Sequence, residues 1–292
     1  MIEIFKTDIT DKKLADKLSE ALKKEFADYT INFDLDDQDR ILRVEAEFIN
    51  SEKIIETVLC LGFSCKIIPD RLCLLKKNSS KEMQEQWDTC FQSNNTVWGL
   101  EPAKSAILAN ELFSTSSLKN ILIPGFGYGR NAQLFMNNGM NVTGIEISET
   151  AIRIAEQNYN GKVEIIHGSV TEMPFNDIIY DGIFCHGLLY LLNTAQRTDM
   201  LNACYNQLKP GGYMYFSVLS KTSSNYGLGR EIAPDTFENA QGVQIFFYDS
   251  DSIQKEFGAY GLQDTIEISE HAGTSKNASF DFTAIVCRKP VS

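Results

Sequence analysis

The stretch "ILIPGFGYGRN", residues 121–131, places Gly125, Gly127 and Gly129 on alternate positions directly after a short apolar run. Asn120 to Pro124 reads as a buried strand, and "NAQLFM" from Asn131 reads as the start of a helix. Glycine tolerates a left-handed backbone and leaves nothing between the main chain and whatever approaches it. A strand, a glycine turn and a helix N-terminus in that order offer bare N–H groups at one edge of a sheet. The chain is thereby constrained to an α/β layout around this turn.

From residue 87 onward the expected strands are "NILIP", "NVTGIEI", "KVEIIHG", "YDGIFCH", "GYMYFSV", a weaker "GLQDTIEIS" and "DFTAIVCRK". With helices expected between the first five, this half reads as a seven-stranded, doubly wound sheet. Ligands of such sheets lie at the carboxyl ends of the strands. The second strand ends at Glu146, seventeen residues after Gly129. An acid there is placed to accept both hydroxyls of a ribose lying across the glycine turn, through bonds worth roughly 1.5–3 kcal/mol each. The competing role, capping the helix "SETAIRIAEQNY", suits Ser148 better. The spacing G-x-G-x-G departs from the G-x-G-x-x-G of dinucleotide binders, which argues against a nicotinamide cofactor.

The segments "ILIPGFGYG", "GIEIS", "HGSVTEMPF", "YDGIFCHGLLYLL" and "QLKPGGYMYFSV" occur in one order across residues 87–292. In that order they resemble a class I S-adenosylmethionine-dependent methyltransferase, whose sheet is Rossmann-like. The resemblance implies S-adenosylmethionine as cofactor. It implies that Gly125, Gly127 and Gly129, with Phe126 in the same turn, border the methionine portion and the ribose. Glu146 would hold the ribose hydroxyls and Ile147 would lie on the adenine face. Gly168, Ser169 and Val170 would edge the adenine, and Cys185 and His186 would lie beneath the sulfonium. Two positions depart from the pattern: Ser169 stands where many relatives have an acid, and Ile123 where many have an aspartate near the methionine ammonium.

The pattern I-P-G-x-G-x-G is also similar to the V-P-G-C-G segment of thiopurine and halide/thiol methyltransferases, with Phe126 in place of the cysteine. Those enzymes carry upstream aromatics spaced four and seven apart, and this chain has Trp87, Phe91 and Trp98 at that spacing. The resemblance implies an aromatic lid over the cofactor, because a sulfonium is attracted to π faces and closure excludes water. The alternative is that the two tryptophans are core anchors.

Methyl transfer from a sulfonium is an in-line displacement in which alignment alone supplies roughly 7–11 kcal/mol. His186 is the candidate base, since an imidazole suits proton removal near neutrality. The alternative is a ring packed beside the adenosine or bonded to backbone. His167 reads as structural, and His271, in "SEHAGTSKN", is assigned nothing. In the long segment after the fifth strand, Tyr226 and Arg230 are candidates to face the acceptor, against a solvated tyrosine and a surface ion-pair partner.

Residues 1–76 read as β-α-β-β-α-β, the order of a small ferredoxin-like α+β domain. Its second helix is expected to start at Ser51 as N-cap and to end at Gly62. In size it resembles heavy-metal-associated domains, but the loop "KTDITDK" lacks their cysteines, so no metal is expected. A docking, dimerising or substrate-shaping role is expected instead, homo-oligomerisation included. The polar stretch 77–86, "KNSSKEMQEQ", reads as a linker or the start of a capping helix before the catalytic half, residues 87–292.

A formal net charge of −12 argues against nucleic acid or an anionic membrane surface as partner. Seven cysteines with no C-x-x-C pair suggest buried thiols in a reducing cytoplasm. The acidic start "MIEIFKTDITDKK" is unlike a signal peptide, and no run of about 18 apolar residues is present to span a bilayer. The expected function is S-adenosylmethionine-dependent methyl transfer to a small-molecule nucleophile through sulfur, nitrogen or oxygen. The alternative is a non-catalytic sensor of S-adenosylmethionine or S-adenosylhomocysteine.

Overall fold

A computed structural model of the chain describes residues 2–35, 40–46, 49–68, 80–93, 96, 98–239, 243–271 and 279–291. The chain forms two compact units, residues 1–73 with 227–243 and residues 74–226 with 244–292.

The first unit opens with β1 (Ile2–Thr7), α1 (Lys12–Glu25), β2 (Thr30–Asp34), β3 (Ile41–Glu45), α2 (Ser51–Cys60) and β4 (Cys65–Ile68). Its four strands make one antiparallel sheet in the order β2-β3-β1-β4. Asp11 starts α1 by accepting from Leu14 N at 3.0 Å. The stripe Ala15, Leu18 and Leu22 then buries against Phe5, Ile9, Leu42, Val44, Ile54 and Val58. Each large apolar side chain buried there contributes roughly 1.5–3 kcal/mol. The cap of α2 is Asn50 rather than the expected Ser51. Asn50 Oδ1 accepts from Lys53 N at 3.1 Å, whereas the Ser51 hydroxyl donates to Glu3. Gly62 follows the helix at φ +86°, as a C′ glycine does. The Asp-rich turn expected after β2 lies largely outside the described residues, as does the start of the expected linker. By Ser80 the chain is already helical.

The second unit contains α3 (Ser80–Ser93), α4 (Lys104–Thr115), β5 (Asn120–Pro124), α5 (Ala132–Asn137), β6 (Asn141–Glu146), α6 (Glu149–Tyr159), β7 (Glu164–His167), β8 (Tyr180–His186), α7 (Thr194–Asn206) and β9 (Leu208–Leu219). There follow β10 (Arg230–Ala233) and β11 (Thr236–Glu238), an antiparallel hairpin of the first unit. The second unit resumes with β12 (Gln244–Phe246), α8 (Ser250–Phe257), β13 (Leu262–His271) and β14 (Ser279–Arg288). Its large sheet runs β13-β14-β9-β8-β5-β6-β7.

All seven expected strands are present, but the sheet is mixed rather than parallel throughout. The ladders β5–β6, β5–β8, β6–β7 and β8–β9 are parallel, whereas β14 is antiparallel to both β9 and β13. A parallel crossover needs roughly a dozen residues or more. Only residues 272–278 separate β13 from β14, so the pair closes as a hairpin. A second departure lies between β7 and β8, where a single 3₁₀ turn, Val170–Glu172, replaces the expected helix. Pro174 lacks the N–H that a continuing helix would require there. The long segment after β9 contains β10, β11, β12 and the start of α8.

The core of this unit packs Phe113, Phe135, Ile121, Ile123, Phe184 and Tyr215 between the sheet and α4 and α5. Cys90 is disulfide-bonded, a departure from the all-thiol expectation, while Cys60, Cys65, Cys185, Cys204 and Cys287 are free. Among the described residues no helix is long and apolar enough to cross a membrane.

Candidate active site

The chain leaves β5 for β6 and β7 on one side, and crosses back to β8 and β9 on the other. The carboxyl ends of β5 and β8 therefore diverge at a switch point, where a crevice is built into the topology. A cleft opens there, lined by Gly125 and Gly127 after β5 and by Ile145, Glu146 and Ile147 at the end of β6. Gly168, Ser169 and Val170 after β7 and His186 and Gly187 at the end of β8 complete the floor. Leu188, Leu191 and Leu192 form an apolar wall, and Met83, Trp87, Phe91 and Trp98 face them.

The glycine turn is locked to its neighbouring strand, since Gly125 N and Phe126 N both donate to Ile145 O at 3.0 Å. Gly125, Gly127 and Gly129 have φ of +72°, +57° and +84°. A Cβ on Gly125 would come within 2.8 Å of Leu188 Cδ2, and one on Gly129 within 2.5 Å of the Tyr159 ring. A Cβ on Gly127 would meet only the Phe91 ring, at 4.0 Å, so its bare Cα faces open cleft. These three glycines thus have different tasks. Gly125 admits close packing against Leu188 of the cleft wall, Gly129 admits the Tyr159 ring behind the turn, and Gly127 leaves room in front of it.

Glu146 is buried, and three backbone amides surround its carboxylate. Oε2 accepts from Gly127 N at 2.7 Å, and Oε1 from Ile147 N and Ser148 N, both at 2.9 Å. Burial pushes its carboxyl above the usual carboxylate range, and the three amide bonds pull against that rise. Ser148 caps α6 through Ala151 N at 3.1 Å, so Glu146 is not needed as the cap. The amides take both acceptor directions of Oε1 and one of Oε2, which leaves Oε2 able to accept from a partner in the cleft.

The aromatic segment is a roof with its own stitching. Trp87 stacks on Phe91 with centroids 5.8 Å apart, and Trp98 stacks on Tyr128 at 6.3 Å. Tyr128 Oη donates to Gly99 O at 2.7 Å and accepts from Trp98 N at 3.1 Å. Asn131 Oδ1 accepts from Ala103 N at 2.9 Å. The strap from Trp98 to Ala103 is therefore sewn to the same turn that carries the glycines.

The structure brings Trp87, Trp98, Gly125, Gly127, Glu146, Ile147, Gly168, Ser169, Val170 and His186 into one cleft. It does not bring in Phe126, Gly129 or Cys185. Phe126 turns into the core over Gly144, where a Cβ would approach its ring to 2.3 Å. The Gly129 carbonyl accepts from the Tyr159 hydroxyl behind the turn. Cys185 points to the opposite face of β8 from His186, as alternation requires, and burial holds its thiol well above the usual range. Ile123, in the aspartate position, is a core residue. Arg230 pairs across its hairpin with Glu238 at 2.8 Å, which is the surface ion-pair role. Tyr226 is half-exposed and packs edge-on against Phe247.

Sequence reasoning misses the wall of Leu188, Leu191 and Leu192, although their i, i+3, i+4 spacing in "HGLLYLL" is a readable signal. It also misses Arg130 and Asp88, for which a single charged residue gives no signal.

A glycine cradle, one buried carboxylate and otherwise apolar or aromatic walls suit a nucleoside that carries a cationic centre. Comparison with known proteins agrees. Residues 122–216 match the family described as a methyltransferase domain. Thiocyanate methyltransferase 1 of Brassica oleracea is 23% identical over 159 residues, 52% of this chain and 70% of that protein. A ubiquinone biosynthesis O-methyltransferase of Pseudomonas putida (strain W619) is 29% identical over 115 residues, 37% of this chain and 47% of that protein. The match thus spans under half of the ubiquinone enzyme. Among solved structures, the 1,6-didemethyltoxoflavin-N1-methyltransferase of Burkholderia thailandensis with bound S-adenosylhomocysteine superposes with a TM-score of 0.57 at 16% identity. That superposition covers 74% of this chain and 92% of the other and shows a shared fold.

Residues 122–216 carry a methyltransferase domain on a Rossmann-like sheet. The chain carries an S-adenosylmethionine-dependent methyltransferase, with S-adenosylmethionine as its cofactor.

Proposed function

We propose that this protein transfers the methyl group of S-adenosylmethionine to a small-molecule nucleophile enclosed beneath the Trp87–Phe91–Trp98 roof. The observation that carries the reading is the convergence of Gly127, the buried Glu146 carboxylate and the aromatic roof on one cleft. The cofactor, when bound, supplies an already activated methyl group, so the protein's task is alignment and exclusion of water. Glu146 holds the ribose hydroxyls. Gly125 and Gly127 admit the amino-acid end, and Ile147, Gly168, Ser169 and Val170 edge the adenine. Trp87 and Trp98 present π faces to the sulfonium and keep bulk water from the line of attack. The Leu188–Leu192 wall offers the acceptor an apolar surface. A small acceptor is in keeping with relatives named for thiocyanate and for ubiquinone biosynthesis.

We read the first unit as a ferredoxin-like accessory domain on its strand order β2-β3-β1-β4 with two helices. It serves docking, self-association or substrate shaping, and the catalytic half begins with the aromatic helix. The whole reading is tested by transfer of radiolabelled methyl from S-adenosylmethionine to a panel of thiols, amines and phenols. Labelled product with at least one class supports catalysis, and tight cofactor binding with no transfer to any of them supports a sensor instead.

A further inference from the structure

Behind the cleft lies a polar relay that the proposed function does not use. Arg130, directly after the glycine turn, donates from Nη1 to Trp98 O at 2.8 Å and from Nη2 to His186 Nε2 at 3.3 Å. On the other side of the ring, His186 Nδ1 lies 2.8 Å from Ser105 Oγ and 2.6 Å from Ser217 Oγ. Glu270, buried on β13, accepts from Ser105 N at 3.1 Å and supplies the α4 cap that Ala103 lacks. Phe184 stacks parallel to the imidazole, and Phe282 packs against it.

Hydrogen-bond chemistry fixes the state of this imidazole. A guanidinium donates and never accepts, so Nε2 must carry its lone pair toward Arg130. The ring proton then sits on Nδ1, where two hydroxyl oxygens can accept it. A proton on Nε2 would set two donors against each other, and a doubly protonated ring would set two cations against each other as well. To act as a base at Nε2, His186 would first have to release Arg130, and Arg130 would then lose one of its partners.

We propose that Arg130 and His186 are one positioning pair. The imidazole, held as the neutral Nδ1–H tautomer, anchors the guanidinium, the guanidinium anchors the strap that carries Trp98 over the cleft, and His186 takes no proton from the acceptor. Burial also favours the neutral ring, with the Arg130 charge adding to that effect and the Glu270 carboxylate opposing it. The acceptor accordingly arrives with its attacking lone pair already free, as a thiolate, an anion or a neutral amine does. This inference rests on the methyltransferase reading for its functional consequence, but the state of the ring does not depend on that reading.

The chain has three histidines, so selective ¹⁵N labelling of imidazoles resolves each, and loss of a signal in His186→Gln assigns this one. The neutral Nδ1–H pattern is expected to persist from about pH 8 to about pH 5.5, and in Arg130→Met the ring should titrate at a higher pH. Calorimetry with S-adenosylhomocysteine supplies the second readout. Arg130→Met and His186→Leu are each expected to weaken binding roughly 10-fold. His186→Gln keeps an acceptor toward Arg130 and is expected to bind at least about fivefold more tightly than His186→Leu. A His186 ring that titrates near neutrality with its proton on Nε2, or equal losses in His186→Gln and His186→Leu, would overturn the proposal. Wild-type protein without affinity for S-adenosylhomocysteine would instead defeat the methyltransferase reading, and the ring spectrum would still decide the pair. Were a variant to misfold, the wild-type spectrum alone suffices.

Discussion

Asp88, on the roof helix α3, accepts a hydrogen bond from Ser148 Oγ at 2.6 Å and a second from Thr150 N at 2.9 Å. Ser148 lies two residues beyond Glu146 and caps α6, so one carboxylate fastens the aromatic roof to the strand end that carries the ribose acid. Helix N-termini favour negative charge, which makes this a natural anchor. Asp88→Ala is expected to weaken S-adenosylhomocysteine binding roughly 10-fold, from the loss of bonds worth about 1.5–3 kcal/mol. It should also increase proteolytic cleavage within α3. Calorimetry and limited proteolysis on the same variant check both, and unchanged affinity would remove the roof from the binding account.

The glycines separate cofactor binding from folding. Gly127→Val places a branched side chain between the turn and Phe91 and imposes left-handed strain of about 1–2 kcal/mol at φ +57°. Binding is expected to fall at least about 100-fold, with cooperative unfolding retained. Gly144→Ala, by contrast, drives a Cβ to 2.3 Å from the Phe126 ring in the core. That variant should lose stability by roughly 1–3 kcal/mol, as overpacked cores do. Thermal melts alongside calorimetry distinguish the two outcomes.

The His186 ring makes stability depend on pH in a particular window. Its folded-state pKa is lowered to about 4, mainly by burial, from an ordinary value of 6.5. A group that binds its proton less readily when folded contributes stability that is present above the unfolded pKa and is lost as pH falls through the folded one. Stability should therefore decline between about pH 6.5 and 4, by no more than about 3 kcal/mol, and by less where cleft water screens the half-buried ring. His186→Gln should flatten this part of the profile. Denaturant melts at successive pH values provide the check, and an identical slope in the variant would count against the burial of a neutral ring.

A buried ion pair that touches the cleft wall only through backbone, where Arg197 Nη1 donates to Leu192 O at 2.9 Å, offers a control on stability. Arg197 Nη2 meets Glu256 Oε1 at 2.6 Å, with side chains only 6% and 16% exposed. The guanidinium lies 4.2 Å from the centre of the Phe246 ring, and Tyr248 Oη donates to Glu256 at 2.8 Å. Glu256→Ala leaves a buried arginine and a buried phenol without their partner. It is expected to cost about 3–5 kcal/mol of stability, with affinity for S-adenosylhomocysteine at low temperature kept within about twofold. A stability loss under about 1 kcal/mol would show the pair to be solvated in practice.

What is legible in the sequence follows from how local each signal is. The strand–glycine–helix turn, the acid ending β6 and the cap at Ser148 are set by contiguous residues, so the order of residue types alone places them. Strand direction is less accessible. The antiparallel return of β14 follows from a connection too short for a crossover, which matters only once the strands are known to be neighbours. Phe126 groups with the glycines in sequence because it sits among them, yet side chains on a tight turn alternate direction, and its ring covers Gly144 in the core. Cys185 and His186 pair in sequence for the same reason, and the alternation of β8 sends them to opposite faces. Arg130, Asp88 and Glu270 are illegible because a lone charge in a sequence reads as solvated. Their roles appear only when segments far apart in the chain meet.

The central claim is that the Gly127–Glu146 cleft binds S-adenosylmethionine, and its most direct test is calorimetric titration of the purified protein with S-adenosylmethionine, S-adenosylhomocysteine and NADH. The account predicts saturable binding of the first two at one site per chain, lost in Gly127→Val, with no heat from NADH. Binding of NADH, or S-adenosylmethionine binding that survives Gly127→Val unchanged, would contradict it.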